Sequence, residues 1–168
     1  MRRSAALSHP SFRLRSHQPG DIGWVISQHG ALYAGEFGWD ARFEALVARI
    51  GADFIDGFDP DCERAWIAER AGVSVGSVFI VKKTKTIAKL RLLLIAPEAR
   101  GFGLGKRLVD ECIAFARARG YRKIQLWTQK NLKAARAIYQ RAGFVLTASE
   151  AHVSFGKHLV GETWELRL

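Results

Sequence analysis

Lys89-Leu-Arg-Leu-Leu-Leu-Ile-Ala-Pro-Glu-Ala-Arg-Gly-Phe-Gly-Leu-Gly-Lys-Arg-Leu-Val109 decides the fold of this chain. Leu90 to Ile95 is nearly all apolar, the composition of a strand covered on both faces. Pro97 has no amide to donate, so ladder pairing ends there. Gly101, Gly103 and Gly105 alternate with Phe102 and Leu104, which lets the backbone take unusual dihedrals and approach a ligand closely. A helix follows at once, with Leu104, Leu108, Cys112 and Phe115 on one face and Gly120 closing it. Free amides at its start, beside Arg100, Lys106 and Arg107, suit a phosphate chain.

Spacing decides which phosphate chain. A Walker loop needs Gly-x-x-x-x-Gly-Lys-Ser/Thr, but Arg100 stands at the first glycine position and Arg107 at the last. A dinucleotide fingerprint, Gly-x-Gly-x-x-Gly, would end on Lys106 or Leu108, and so fails too. Arg-x-x-Gly-x-Gly, Arg100 to Gly105, after a strand ending Ile-x-Pro, resembles the acetyl-CoA motif of the GNAT superfamily of N-acetyltransferases. A ligand-free structural turn is the rival reading of this stretch alone. A second stretch narrows it. Ile124 to Thr128 reads as a strand and is followed by Asn131-x-x-Ala134, then Tyr139, then Gly143-Phe144, which resembles the other pattern of the same family. Asn131 is also a good helix N-cap, Ala134, Ile138 and Ala142 form the expected buried stripe, and Gly143 the C-cap.

Composition sets the bounds. The chain has 168 residues, 48% of them apolar and 25% charged, an ordinary globular mix long enough for one real core. Residues 1–10 read as a flexible tail and 11–168 as the folded domain. No apolar run is long enough to span a bilayer, and the start Met1-Arg-Arg-Ser-Ala-Ala-Leu has no adequate apolar core for a signal peptide. Two cysteines, Cys62 and Cys112, have no metal-ligand spacing, so reduced thiols, no metal and a cytoplasmic location are expected. The net charge is +10, but the basic residues are spread along the chain, without a winged-helix or zinc pattern. Sequence-specific nucleic-acid binding is not expected; excess base near the helix starts fits a polyanionic cofactor.

The remaining chain reads as a first strand, Phe12–Ser16, and a helix capped by Asp21 with Ile22, Val25, Ile26, His29, Leu32 and Tyr33 on one stripe. A structural role is the favoured reading of His29. After the break at 35–40 a second helix, capped by Asp40, turns Phe43, Leu46, Val47, Ile50 and Phe54 inward. Arg64–Glu69 and Val73–Val81 form a hairpin through Arg70-Ala-Gly72, and a basic turn leads into the central strand. Helix 104–119, strand 123–128, helix 132–142 and strands 144–153 and 162–168 complete the order βααβββαβαββ. The fold class is α+β (mixed α/β): a central, mostly antiparallel mixed sheet of about seven strands with four helices. The resemblance implies a GNAT fold, splayed between its two central parallel strands. Tyr33-x-x-Glu-Phe-Gly-Trp-Asp40 together with His152–Gly156 and Val160–Trp164 resembles the acetyltransferase half of bacterial MarR-type regulator fusions, without the regulator domain.

The resemblance also implies a mechanism: direct acetyl transfer from acetyl-CoA to a primary amine in a ternary complex. On that pattern the backbone of Leu93, Leu94 and Ile95 holds the pantetheine arm and acetyl carbonyl. The loop Arg100, Gly101, Phe102, Gly103, Leu104, Gly105 and Lys106 holds the pyrophosphate, and Asn131 and Ala134 touch the arm from the far side. Tyr139 occupies the general-acid position. Both familiar general-base positions are filled by other residues, Lys89 and Leu126. Glu36, Asp40, Glu150 and His152 are the candidates left, Glu36 first, beside a water-mediated base or an amine already neutral. Loop 35–40 would form part of the acceptor wall, and a homodimer is a family expectation. Arg91, a charge among apolar neighbours, pairs with a carboxylate or meets an acidic acceptor. The alternative function is an acetyl-CoA-binding regulatory or sensor module without efficient catalysis.

Overall fold

In a computed structural model, residues 10–168 are described; the expected tail lies outside them apart from Pro10. The elements are β1 Arg13–Ser16, α1 Asp21–Phe37, α2 Ala41–Gly57, β2 Arg64–Arg70, β3 Val73–Lys82, β4 Ile87–Ile95, α3 Leu104–Ala118, β5 Lys123–Gln129, α4 Lys133–Arg141, β6 Val145–Ser154 and β7 Lys157–Arg167. One 3₁₀ turn, Pro97–Ala99, separates β4 from the glycine loop. The seven strands lie in the order β1-β2-β3-β4-β5-β7-β6, and only β4 and β5 run parallel. This is the mixed α+β architecture expected.

Strand alternation divides the sheet into two faces. Trp66, Ala68, Val78, Ile80, Ala88 and Leu90 pack with Leu104, Leu108, Cys112 and Ala116 of α3. The intervening residues Ala65, Ile67 and Phe79 pack instead with Val25 of α1 and Phe54 of α2. A third cluster joins Trp39 to Phe155 and Leu159 of the β6–β7 hairpin, with Tyr33, Phe37 and Phe43 against it. Two segments distant in sequence, 33–43 and 155–159, therefore close one end of the sheet. The Asp40 amide, donating to the Phe155 carbonyl at 3.1 Å, ties them together.

Several local expectations change. Asp21 is the first residue of α1, not its cap, because its carboxylate takes the Gln18 amide and the Arg15 guanidinium at 2.6 Å. Asp40 does cap α2, accepting the Arg42 amide at 3.0 Å. Asn131 does not cap α4: the cap position is Leu132 and no side chain caps that end. Ala134 is exposed, and Ala135, Ile138 and Ala142 pack on the core in its place. β7 begins five residues earlier than expected, at Lys157. The two-residue turn Phe155-Gly156, both with positive φ (57° and 77°), is one that matches strand twist and lets the hairpin pair to its tip.

Candidate active site

Parallel pairing between β4 and β5 runs only from Ile87↔Lys123 to Leu90↔Leu126. Beyond it β4 continues against β3 while β5 follows β7, so the strands part and the β5-facing edge of Arg91–Ile95 has no strand partner among the described residues. A bulge sharpens the parting. The β3–β4 register shifts between Ser77 and Phe79, and Leu92 sits at φ 53°, a left-handed conformation costly for a branched side chain. Ser77, with no exposed surface, holds the bulge by donating from Oγ to the Leu92 carbonyl at 2.9 Å. Nothing in the leucines that follow Arg91 signals this; only the facing serine, at position 77, hints at it.

The opening leads to the glycine loop. Gly101 (φ 84°) and Gly103 (φ 77°) are both left-handed, and a Cβ on either would meet no atom within 4 Å. Their glycine character serves the backbone, not packing. Gly105 differs: a Cβ there would stand 2.5 Å from Ile138 Cδ1, so its bareness lets α3 pass close to α4. No side chain caps α3, and its first amides, from Leu104 on, point into the loop without helical partners. Leu104 is core, Phe102 is exposed over about half its surface and lies near Phe12 (centroids 6.4 Å apart), and Lys106 pairs with Asp110 one turn on.

Arg100 is already engaged. Its Nη2 donates to Glu36 Oε1 at 2.7 Å and its Nε to the Ile95 carbonyl at 3.2 Å, which ties the end of α1 to the loop. Glu36, the first-ranked base in the sequence, is thereby held on the loop side and does not line the cavity described next. Asp40 is likewise engaged, by Arg42. His152 donates or accepts through both ring nitrogens, with Ser154 Oγ and Gln129 Oε1 at 2.9 Å each. Glu150 is exposed on β6, which lies at the sheet edge.

A cavity of about 350 Å³ occupies the gap between the parted strands and the α1/α2 side of the sheet. Its wall includes His29, Tyr33, Trp39 and Phe43 from the α1–α2 segment, Lys89, Arg91 and Leu93 from β4, Trp127 and Gln129 from β5, and Tyr139 from α4. Leu94 and Ile95 pair with Ser77 and Gly76 of β3 and extend the open edge toward the loop. Asn131 lies at the exposed β5–α4 junction, with Ala134 exposed on the first turn of α4. Among the described residues neither the Asn131 side chain nor the Tyr139 hydroxyl makes a hydrogen bond.

Burial governs the chemistry of the lining. Tyr139, 5% exposed, has its pKa pushed well up by desolvation, with Tyr33 and Cys112 adding to it, so its hydroxyl keeps its proton. Tyr33 is pushed up to about 12, again mainly by burial and then by Glu36. His29 is lowered to about 4 by burial, against an opposing hydrogen bond to Val25, and is neutral at ordinary pH. Its Nδ1 lies 2.8 Å from the Val25 carbonyl and must donate there, which leaves Nε2 as the lone-pair nitrogen. The ring stacks on Tyr33, centroids 5.8 Å apart. His29 is therefore both a packed core residue and part of the cavity wall.

The comparisons with known proteins agree with this geometry. The Acetyltransferase (GNAT) family profile matches residues 26–144. The chain belongs to that family. Among curated relatives, a mycothiol acetyltransferase from Beutenbergia cavernae is 29% identical over 101 residues, 59% of this chain and 33% of that protein. A probable N-acetyltransferase, camello, from Xenopus tropicalis is 31% identical over 125 residues, 67% of this chain and 55% of that one. The chain thus spans about a third to a half of the length of these relatives. Two solved structures share the fold: an acetyltransferase of the GNAT family from Streptococcus pneumoniae (TM-score 0.72, 21% identity, 94% of this chain and 100% of that one) and yncA from Salmonella typhimurium, solved with its cofactor acetyl-CoA (TM-score 0.71, 20% identity, 93% of each).

Proposed function

We propose that this GNAT domain is an N-acetyltransferase that binds acetyl-CoA along the opened edge of β4 and passes the acetyl group directly to a primary amine in the cavity. The observation that carries the reading is the parting of β4 from β5 after Leu90, with the bare amides of α3 following β4 through the glycine loop. The residues present fit the cofactor. An unpaired strand edge, Leu93 to Ile95, suits an amide-bearing arm, and left-handed glycines followed by free helix amides suit a pyrophosphate. Asn131 and Ala134 are exposed beside Leu132 and Ala135, which line the cavity.

The cofactor, when bound, supplies the acetyl group as an activated thioester. The chain's own groups do the rest. A backbone amide in the Leu93–Leu94 stretch, turned by the bulge, stabilises charge developing on the carbonyl oxygen. The Tyr139 hydroxyl, kept protonated by burial, gives its proton to the departing thiolate. For the amine, His29 is better placed than Glu36: its ring lines the cavity with Nε2 left as a neutral acceptor, whereas Glu36 is tied to Arg100. Burial disfavours a charged His29, so its part is to accept a hydrogen bond from an amine that reaches the cavity neutral, and the proton lost on acyl transfer leaves through water.

The likeness of segments 33–40 and 152–164 to the MarR-fusion acetyltransferases fits their meeting in one aromatic cluster at the cavity end. A cytoplasmic location is our reading; among the described residues no helix is long and apolar enough to cross a membrane. A homodimer stays a family-based proposal. The sensor alternative requires the same cofactor site without turnover.

Calorimetric titration with acetyl-CoA, on the wild type and on Gly103→Glu, tests the reading. Micromolar binding lost in a folded variant is expected, because the new carboxylate enters the phosphate position. A folded wild type that does not bind acetyl-CoA would overturn it. Turnover of amines separates enzyme from sensor.

A further inference from the structure

The cavity wall carries two positive charges with no ion-pair partner among the described residues. Lys89 and Arg91 stand two apart on β4, so both side chains leave the α1/α2 face of the sheet, and both line the cavity. Both are half-buried. None of the seven ion pairs among the described residues uses either one. Lys83 adds a third charge nearby, its Nζ donating to the Gln125 carboxamide on the same wall.

The acidic groups in reach do not neutralise them. Asp53 and Glu63 border a neighbouring cleft that shares Lys89 and Arg91. Glu63 is occupied by the Lys82 and Asp59 amides, at 2.9 and 3.2 Å. Asp53 acts on Arg91 only through space, outside ion-pair distance. Burial, and then the mutual repulsion with Arg91 and Lys83, makes the Lys89 ammonium harder to keep charged. A chain that keeps a half-buried lysine beside an arginine, without a carboxylate against either, leaves a place for an anion from outside. The lining also has an aromatic part, Tyr33, Trp39, Phe43 and Trp127.

We infer that the acceptor is an amine that also carries a carboxylate and an apolar body, aromatic bodies being preferred. Lys89 and Arg91 hold the carboxylate, the aromatic wall takes the body, and the amine is left toward the opened edge of β4. The two residues are specificity determinants, not catalytic groups. The inference rests on the acetyltransferase reading above.

Matched product-like probes test it: N-acetylphenylalanine and N-acetylphenethylamine, which differ by the carboxylate, titrated into the CoA-loaded protein by calorimetry. The carboxylate probe is expected to bind tighter by roughly tenfold or more, the worth of one charge-assisted contact. Lys89→Gln and Arg91→Gln should each erase most of that preference, while exposed Lys85→Gln keeps it. With phenylalanine as acceptor the two cavity variants should raise KM more than they lower kcat. Equal affinity for the two probes would overturn the inference, as would a preference that survives in both cavity variants. So would a CoA-binding protein that takes up neither probe at millimolar concentration. CoA binding itself, measured first on every sample, judges the acetyltransferase reading separately, and thermal melts show that each variant is folded.

Discussion

Ser77→Ala removes one oxygen and should reach both stability and cofactor binding. The Ser77 side chain is fully buried, and its hydroxyl donates at 2.9 Å to the carbonyl of Leu92, the residue forced to φ 53° in the β4 bulge. Left-handed backbone costs a non-glycine residue about 1–2 kcal/mol, so the bulge persists only while its surroundings hold it. Without the hydroxyl the Leu92 carbonyl is left unpaired in a buried setting, a loss of about 1–3 kcal/mol. In a domain of this size each kcal/mol moves Tm by about 2–4 °C, so a fall of about 2–12 °C is expected. Relaxation of the bulge also turns the Leu93–Ile95 backbone away from the gap, and acetyl-CoA should bind about tenfold more weakly. Differential scanning calorimetry gives the first quantity and titration calorimetry the second. Ser74→Ala, on the same strand but near its hairpin end, is the control and should change stability by less than about 0.5 kcal/mol. If Ser77→Ala melts with the wild type and binds acetyl-CoA equally well, strand pairing alone holds the bulge and the serine has no part in shaping the cofactor edge.

Tyr139→Phe should lower kcat by about 10²–10⁴-fold with acetyl-CoA affinity almost unchanged, read from steady-state kinetics beside a binding titration; a variant with wild-type kcat would remove Tyr139 from the reaction. His29 binds its proton less well folded (about 4) than unfolded (6.5), so the unfolded state takes up more protons between those values. Stability should be complete above pH 6.5 and fall by roughly 3 kcal/mol on acidification to pH 4. Urea midpoints across that range should fall less in His29→Leu than in the wild type; parallel curves would mean that His29 charges freely. Gly105→Val places its Cβ 2.5 Å from Ile138 Cδ1 and should destabilise by about 1–3 kcal/mol in chemical denaturation, whereas Gly101→Ala, with open space around its Cβ, should cost only its backbone strain.

Much of the fold was legible because its signals are local. Leu90–Ile95, the glycine loop and the α3 stripe carry period, stop and start within one short stretch, Leu90 to Phe115, and the structure places the loop and helix within a residue or two of expectation. The same holds for the Asp40 cap, which needs only an oxygen beside a free amide. Failures came where two partners compete for one group. Asp21 could cap a helix, but Arg15 across the turn offers a charged partner. Asn131 has the chemistry of a cap, yet the helix starts two residues later and leaves its side chain free. The end of β7 nearest the hairpin was missed because its residues pair with β6 without alternating cleanly in sequence.

The sequence by itself determined the family and the order of elements, since both are written in glycine, proline and apolar spacing. Only the tertiary structure decided the cavity. His29, Lys89, Arg91, Trp127 and Tyr139 line one cavity because β4 leaves β5 after Leu90, and that parting goes with a bulge held from the neighbouring strand. It also removed Glu36 from the wall, through an ion pair with Arg100, 64 residues away. Backbone propensity acts over a few residues, whereas the competition for a charge or a carbonyl is settled by whatever the fold brings within 3 Å, and that partner leaves no mark in the local sequence.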